Sequence, residues 1–215
     1  ERDRLQTQAR VIDENLGHQL EGVSNALVGV LDEFPLPVNR TIAPEASRHL
    51  KALADAMPGV LTMVIRDSRG TVLAASREEL IGRNSSERAY FKAARERPDP
   101  ATLYVPPPFK TSRGVYSIIV ARAATGSRGE FAGTVSATLD PGYFNVLLRS
   151  VLYAPDMWAS LAHGDGKVFL FIPPNEQALG VDLNSPGSFR NRHLETGQIA
   201  TVLTGTVYAT GEERM

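Results

Sequence analysis

The sequence predicts an α+β fold, with a long N-terminal helix followed by two similar units that each open on an antiparallel hairpin. Three observations carry this. Residues 1–34 contain no proline and repeat apolar residues at steps of three and four. The stretches "VIRDSRGTVLAA" and "SLAHGDGKVFLF" share one pattern, an apolar strand, a polar turn containing glycine and a second strand. Between Val115 and Leu139, apolar and small polar residues alternate as they do along sheet strands.

The elements follow in order. Leu5, Ala9, Ile12, Leu16, Leu20, Val23, Leu27, Val30 and Phe34 fall on one stripe of a helix. At 1.5 Å per residue that helix is roughly 45–50 Å long. It either packs on its own domain or gives part of its length to a homodimer contact. "FPLPVNRT" breaks it, and Pro44–Met57 reads as a second helix. "VLTMVIRDSRGTVLAAS" (60–76) is a hairpin turning at Asp67–Gly70. A helix over 85–96 follows, with Asn84 and Glu87 spaced as a capping box. "ATLYVPPPFKTSRG" gives a short strand and a proline-rich loop, and 115–139 a longer hairpin turning near Gly126–Gly129. Asp140 and Pro141 suit the N-cap and first position of another helix, 140–153. From Met157 the hairpin pattern begins again. The expected division is 1–58 for the two helices, 59–148 for the first unit and 149–215 for a second, incomplete one.

Composition narrows the function. The 215 residues are 42% hydrophobic and 22% charged, ordinary values for a folded protein. A net charge of −1 creates no global field for nucleic acid or an anionic surface, so any anion affinity must be local. The absence of cysteine excludes disulfides and thiolate metal sites. No apolar run approaches the ~20 residues of a membrane span. A chain that opens on Glu1 and closes within strand pattern is expected to be an excised segment whose flanking membrane or effector parts are absent.

Taken in order, "RDSRGTVLAAS", "IGRNSSERAYFKAA", "LYVPPPFKTSRGVYSIIVARA" and "GEFAGTVSATLDPGYF" resemble the double Cache sensor domains. These are the extracytoplasmic ligand-binding modules of bacterial histidine kinases, chemoreceptors and diguanylate cyclases. The resemblance covers roughly residues 20–215. It implies a long helix carrying two PAS-like units, a ligand in the membrane-distal one, a periplasmic location and membrane attachment through flanking segments. No cofactor or metal is implied.

The residues sort as follows. Arg88 stands near a helix N-terminus, already a place of partial positive charge, so it either pairs with Glu87 or Asp99 or meets an anion from outside. The resemblance implies the second role, with the planar guanidinium fork gripping a ligand carboxylate. It also implies that Tyr90 forms an aromatic wall beside that ligand. Phe91 reads as core. On the strand ending at Leu139, Phe131, Gly133, Val135, Ala137 and Leu139 share one face, and Thr134, Ser136 and Thr138 the other. The hydroxyl row either faces water or lines a pocket roofed by helix 85–96. In the second case Tyr104, Lys110 and Tyr116 surround it, although Lys110 is equally well read as a solvated loop charge.

In the amino-acid-binding pattern of the family, an aspartate holds the ligand's ammonium. Thr138 occupies that position here, and Arg83 replaces a tyrosine. Loss of an anion favours a di- or tricarboxylate over an amino acid. Catalysis is not expected, because there is no nucleophile elbow or phosphate loop and the four histidines are scattered. The chain is therefore expected to be a carboxylate sensor that does no chemistry itself. The alternatives are a sensor of an amino acid or other polar metabolite, and a protein-contact module with a vestigial pocket. In the second unit, Arg190 and Arg192 are the residues that could build a competing anion site.

Overall fold

The computed structural model describes residues 2–36, 43–110, 116–206 and 213–214, with the backbone alone at Lys110 and 213–214. It resolves into two compact units, residues 19–141 and residues 1–18 with 142–215. These bounds differ from the expected ones. The two opening helices are not a separate body, because α1 (Arg2–Glu33) contributes to both units and α2 (Ala43–Ala56) packs on the first hairpin. The helix after the long hairpin, α4 (Pro141–Ser150), goes almost wholly with the second unit.

The larger unit is built on one antiparallel sheet. β1 (Val60–Asp67) and β2 (Val72–Ala75) form the first hairpin, and β5 (Tyr116–Thr125) and β6 (Phe131–Leu139) the second. β3 (Leu103–Tyr104) and β4 (Phe109–Lys110) both pair with β5. The order β2-β1-β6-β5-β3 sets β1 beside β6, in the middle of the sheet. One face carries Met63, Ile65, Val120, Val135 and Ala137, all fully buried or nearly so. Arg122 lies on this face and donates to the Ser24 hydroxyl of α1. Val23, Leu27 and Val30 bury the same stripe of α1, as the apolar spacing requires.

The opposite face carries Val64, Arg66, Ile119, Ala121, Thr134, Ser136 and Thr138, as the cross-strand partners Val64–Ser136 and Arg66–Thr134 show. The short helix α3 (Ala89–Glu96) covers it, packing Tyr90 and Phe91 onto Ile119 and Ala121. The hydroxyl row therefore does not face water: Thr134 and Ser136 are buried and Thr138 half-buried. Phe131 departs from the expected alternation. Its ring stands edge-on to Phe91, 5.4 Å between centroids, on the α3 face. Between Gly133 and Phe131 the ladder passes over Ala132, and this one-residue bulge reverses the side to which the strand end points.

In the second unit β7 (Ala159–Ala162) and β8 (Val168–Ile172) form a hairpin, and Trp158 stacks on Phe171 at 4.9 Å. α5 (Phe189–Thr196) follows, and β9 (Gly205–Thr206) pairs with β10 (Glu213–Arg214). At the start of α1, Arg4 lies 3.6 Å over the Tyr153 ring and Gln8 donates to the Val151 carbonyl. Among the described residues no helix is long and apolar enough to cross a membrane.

Candidate functional site

The polar side chains of interest gather between α3 and the sheet of the larger unit. The expected capping box does not form. Asn84 instead accepts from Ser86 N and donates to the Arg69 carbonyl, which straps the incoming chain to the β1–β2 turn. The helix starts five residues later than Asn84, with Arg88 itself at the N-cap in extended conformation (φ −72°, ψ 140°) and no side-chain cap. Arg88 is thus placed at the helix N-terminus, its guanidinium 4.9 Å from the Phe109 ring centroid. Neither carboxylate suggested for it is engaged there. Glu87 pairs with Lys92 at 2.7 Å, and Asp99 accepts from Ala101 N and the Thr102 hydroxyl.

Tyr90, two residues on, is buried. Burial pushes the phenol above its ordinary value; the cations Arg66 and Arg88 pull the other way. Ser136 lies beneath, accepting a 2.6 Å hydrogen bond from Arg66 Nη1. Thr138 is half-buried one pleat further along the same face. Tyr116 opens β5, half-buried, opposite Lys110 of β4, whose side chain lies outside the described residues. Tyr104 packs its ring against the same cluster, but its hydroxyl is turned away. It donates to the Arg97 carbonyl and accepts from Asp99 N, closing the loop after α3. Arg83 also points elsewhere, its Nε donating to the Glu79 carbonyl at the surface.

The residue that sequence reasoning missed is Arg66. It sits inside "VLTMVIRD" at an α3-facing position of β1 and is only 7% exposed. Its guanidinium lies 5.4 Å from the centroid of the Tyr90 ring, within cation–π range. Its Nε is buried without a hydrogen-bond partner among the described residues, and so is the hydroxyl of Thr134, its cross-strand neighbour. Burial pulls the guanidinium below its ordinary value, Tyr90 opposes, and the charge of Arg88 adds to the lowering. No ion pair among the described residues involves Arg66 or Arg88. The available signal is a charge at an alternation position within an otherwise apolar strand.

Elsewhere the chemistry is thin. A surface depression of about 470 Å³ lies beyond α3, lined by Ala93, Glu96, Arg97, Asp99, Thr102 and Tyr104, away from both arginines of the site. No group of three metal-ligating side chains occurs among the described residues. Arg190 of the second unit is committed to the Gly164 carbonyl and Asn184, and Arg192 to the Thr204 carbonyl, so both act as backbone ties.

No protein-family model and no curated protein matches the sequence. Solved structures do match its fold. The extracellular domain of the putative histidine kinase rpHK1S-Z16 is 27% identical with a TM-score of 0.69, over 78% of this chain and 69% of that one. An extracellular ligand-binding receptor from Desulfohalobium retbaense is 16% identical with a TM-score of 0.70, over 94% of this chain and 35% of that one. The ligand-binding domain of the Pseudomonas aeruginosa amino-acid chemoreceptor PctC, solved with GABA, is 16% identical with a TM-score of 0.61, over 85% and 80%. The architecture is that of Cache-type sensor domains, and the chain shares it with the extracellular or ligand-binding domains of a histidine kinase and of chemoreceptors.

Proposed function

We propose that the larger unit binds a small carboxylate and that the chain is the sensing part of a membrane receptor. The observation that supports this reading is the cover α3 places over the hydroxyl face of β6. It seats Tyr90 over Arg66, whose Nη1 holds Ser136, and sets Arg88 at the start of the same helix, and no carboxylate of the described residues pairs with either arginine. Arg88 contributes a planar fork, and the N-terminus of α3, which no side chain of its N-cap residue caps, adds partial positive charge. An amino acid would need an anion for its ammonium, and Thr138 supplies none. In this reading Tyr116 and Lys110 close the rim. The first half of α1, which keeps Val11 39% exposed, is where two copies pair. Signalling then follows from a ligand that binds one arrangement of the receptor better than another.

A thermal-shift series with mono-, di- and tricarboxylates and the common amino acids tests it. A carboxylate at a hundred times its Kd should raise the melting temperature by about 5–10 °C. Arg88→Ala should weaken that ligand by about 2–5 kcal/mol. Stabilisation by an ordinary amino acid and by no carboxylate would overturn the reading.

A further inference from the structure

Arg66 poses a problem that the fold by itself leaves unsolved. A guanidinium in the middle of a sheet is costly to bury unless hydrogen bonds and an opposite charge compensate it. Here one Nη donates to Ser136 and the guanidinium carbon lies over the Tyr90 ring, but Nε has no acceptor among the described residues. Directly across the ladder, the fully buried Thr134 hydroxyl is orphaned as well. Two unsatisfied polar groups on neighbouring strands, on one face, make an inner seat that offers a guanidinium N–H and a threonine hydroxyl and that no carboxylate of the described residues pairs with. We propose that Arg66 and Thr134 hold an anionic group of the bound metabolite, so that the ligand is a dianion with one carboxylate at Arg66 and the other at Arg88.

This rests on the carboxylate reading above and sharpens it. Nε and an Nη of one guanidinium present parallel N–H bonds that match the two oxygens of a carboxylate, and the threonine hydroxyl adds a third donor. Ser136 fixes the rotation of the fork by holding Nη1. A monoanion would satisfy only one of the two arginines and leave the other charge uncompensated. Ligand charge, and not only ligand size, thus decides what this unit accepts.

The test uses unbranched dicarboxylates from malonate to glutarate, with citrate, and butyrate as the monoanion matching succinate in chain length. Calorimetry on the whole chain should show at least one dianion binding, and butyrate weaker than succinate by about thirtyfold or more. Arg66→Met should cost that dianion a similar factor and leave butyrate unchanged. Because it removes an uncompensated buried charge, it should also raise the ligand-free melting temperature by about 2–4 °C. Thr134→Val, a milder change, should fold normally and lose about tenfold in dianion affinity only. A dianion that binds wild type and both variants equally overturns the inner seat and leaves the Arg88 reading standing. A fall in the ligand-free melting temperature of Arg66→Met, with Thr134→Val binding as wild type, makes Arg66 a structural residue and overturns it too. If no dianion binds the wild type, both readings fall together.

Discussion

The hairpin, turn and helix of residues 60–96 and those of residues 159–196 repeat one another down to single hydrogen bonds, yet only the first helix buries side chains against a sheet. In the first, Asp67 N donates to Thr71 O and Gly70 N to Asp67 O; in the second, His163 N donates to Lys167 O and Gly166 N to His163 O. The returning chain is tied alike: Gly82 N to Val72 O and Ser85 N to Gly70 O, against Gly180 N to Val168 O and Leu183 N to Gly166 O. Asn84 accepts from Ser86 N just as Asp182 accepts from Asn184 N. The helices then diverge. α3 buries Tyr90, Phe91 and Ala94 against β5 and β6, whereas α5 buries none of its side chains. The lesson is that local hydrogen bonding builds the strap in both places, but the helix is seated only where a long strand pair gives it an apolar and hydroxyl-bearing face to cover.

The helix cores give the sharpest way to break this comparison. Phe91 is fully buried, and Phe91→Ala should cost about 3–5 kcal/mol. Leu194 on α5 is 57% exposed, and Leu194→Ala should stay within about 0.5 kcal/mol. Hydrogen exchange resolved to each repeat measures both. Comparable losses would mean that α5 is as well seated as α3.

The turns come next. Gly70 (φ +84°) and Gly166 (φ +93°) both adopt backbone that a side chain strains, about 1–3 kcal/mol. A Cβ at Gly70 would stand 2.6 Å from the backbone nitrogen of Ser86, which cannot retreat without moving the strap. At Gly166 the same atom meets the end of the Asn184 side chain, 2.7 Å away, which can give way by loosening its bonds to the Asp165 carbonyl and Arg190 while the backbone stays in place. Denaturant melts should show Gly70→Ala to be the more damaging. The opposite order would show that the second strap is the stiffer.

The smallest effect concerns the N-caps. Ser188 accepts from Asn191 N, and Ser188→Ala should cost about 1 kcal/mol. Arg88 holds the same position in α3 and caps nothing with its side chain. Arg88→Ser should therefore stabilise the ligand-free domain by about 0.5–1 kcal/mol and weaken carboxylate binding. A destabilised Arg88→Ser variant would show that the arginine serves the fold.

What the sequence determined by itself was local. The spacing of Val23, Leu27 and Val30, the glycine turns at Gly70 and Gly166, and the alternation from Val135 to Leu139 depend on neighbours a few residues away, and each was legible. The Asn84–Glu87 spacing misled because Asn84 had a more distant partner, the Arg69 carbonyl, that outcompeted the local cap. Only the tertiary structure decided which face of β6 is roofed, that the strand bulges at Ala132, and that Tyr104 turns its hydroxyl to Arg97. It alone brought Arg66 of β1 under Tyr90 of α3 and across from Thr134 of β6. The reason is physical. Burial and compensation of a charge are sums over residues far apart in the chain, and an arginine in an apolar strand has the same spelling whether its partner is a carboxylate, water or a ligand.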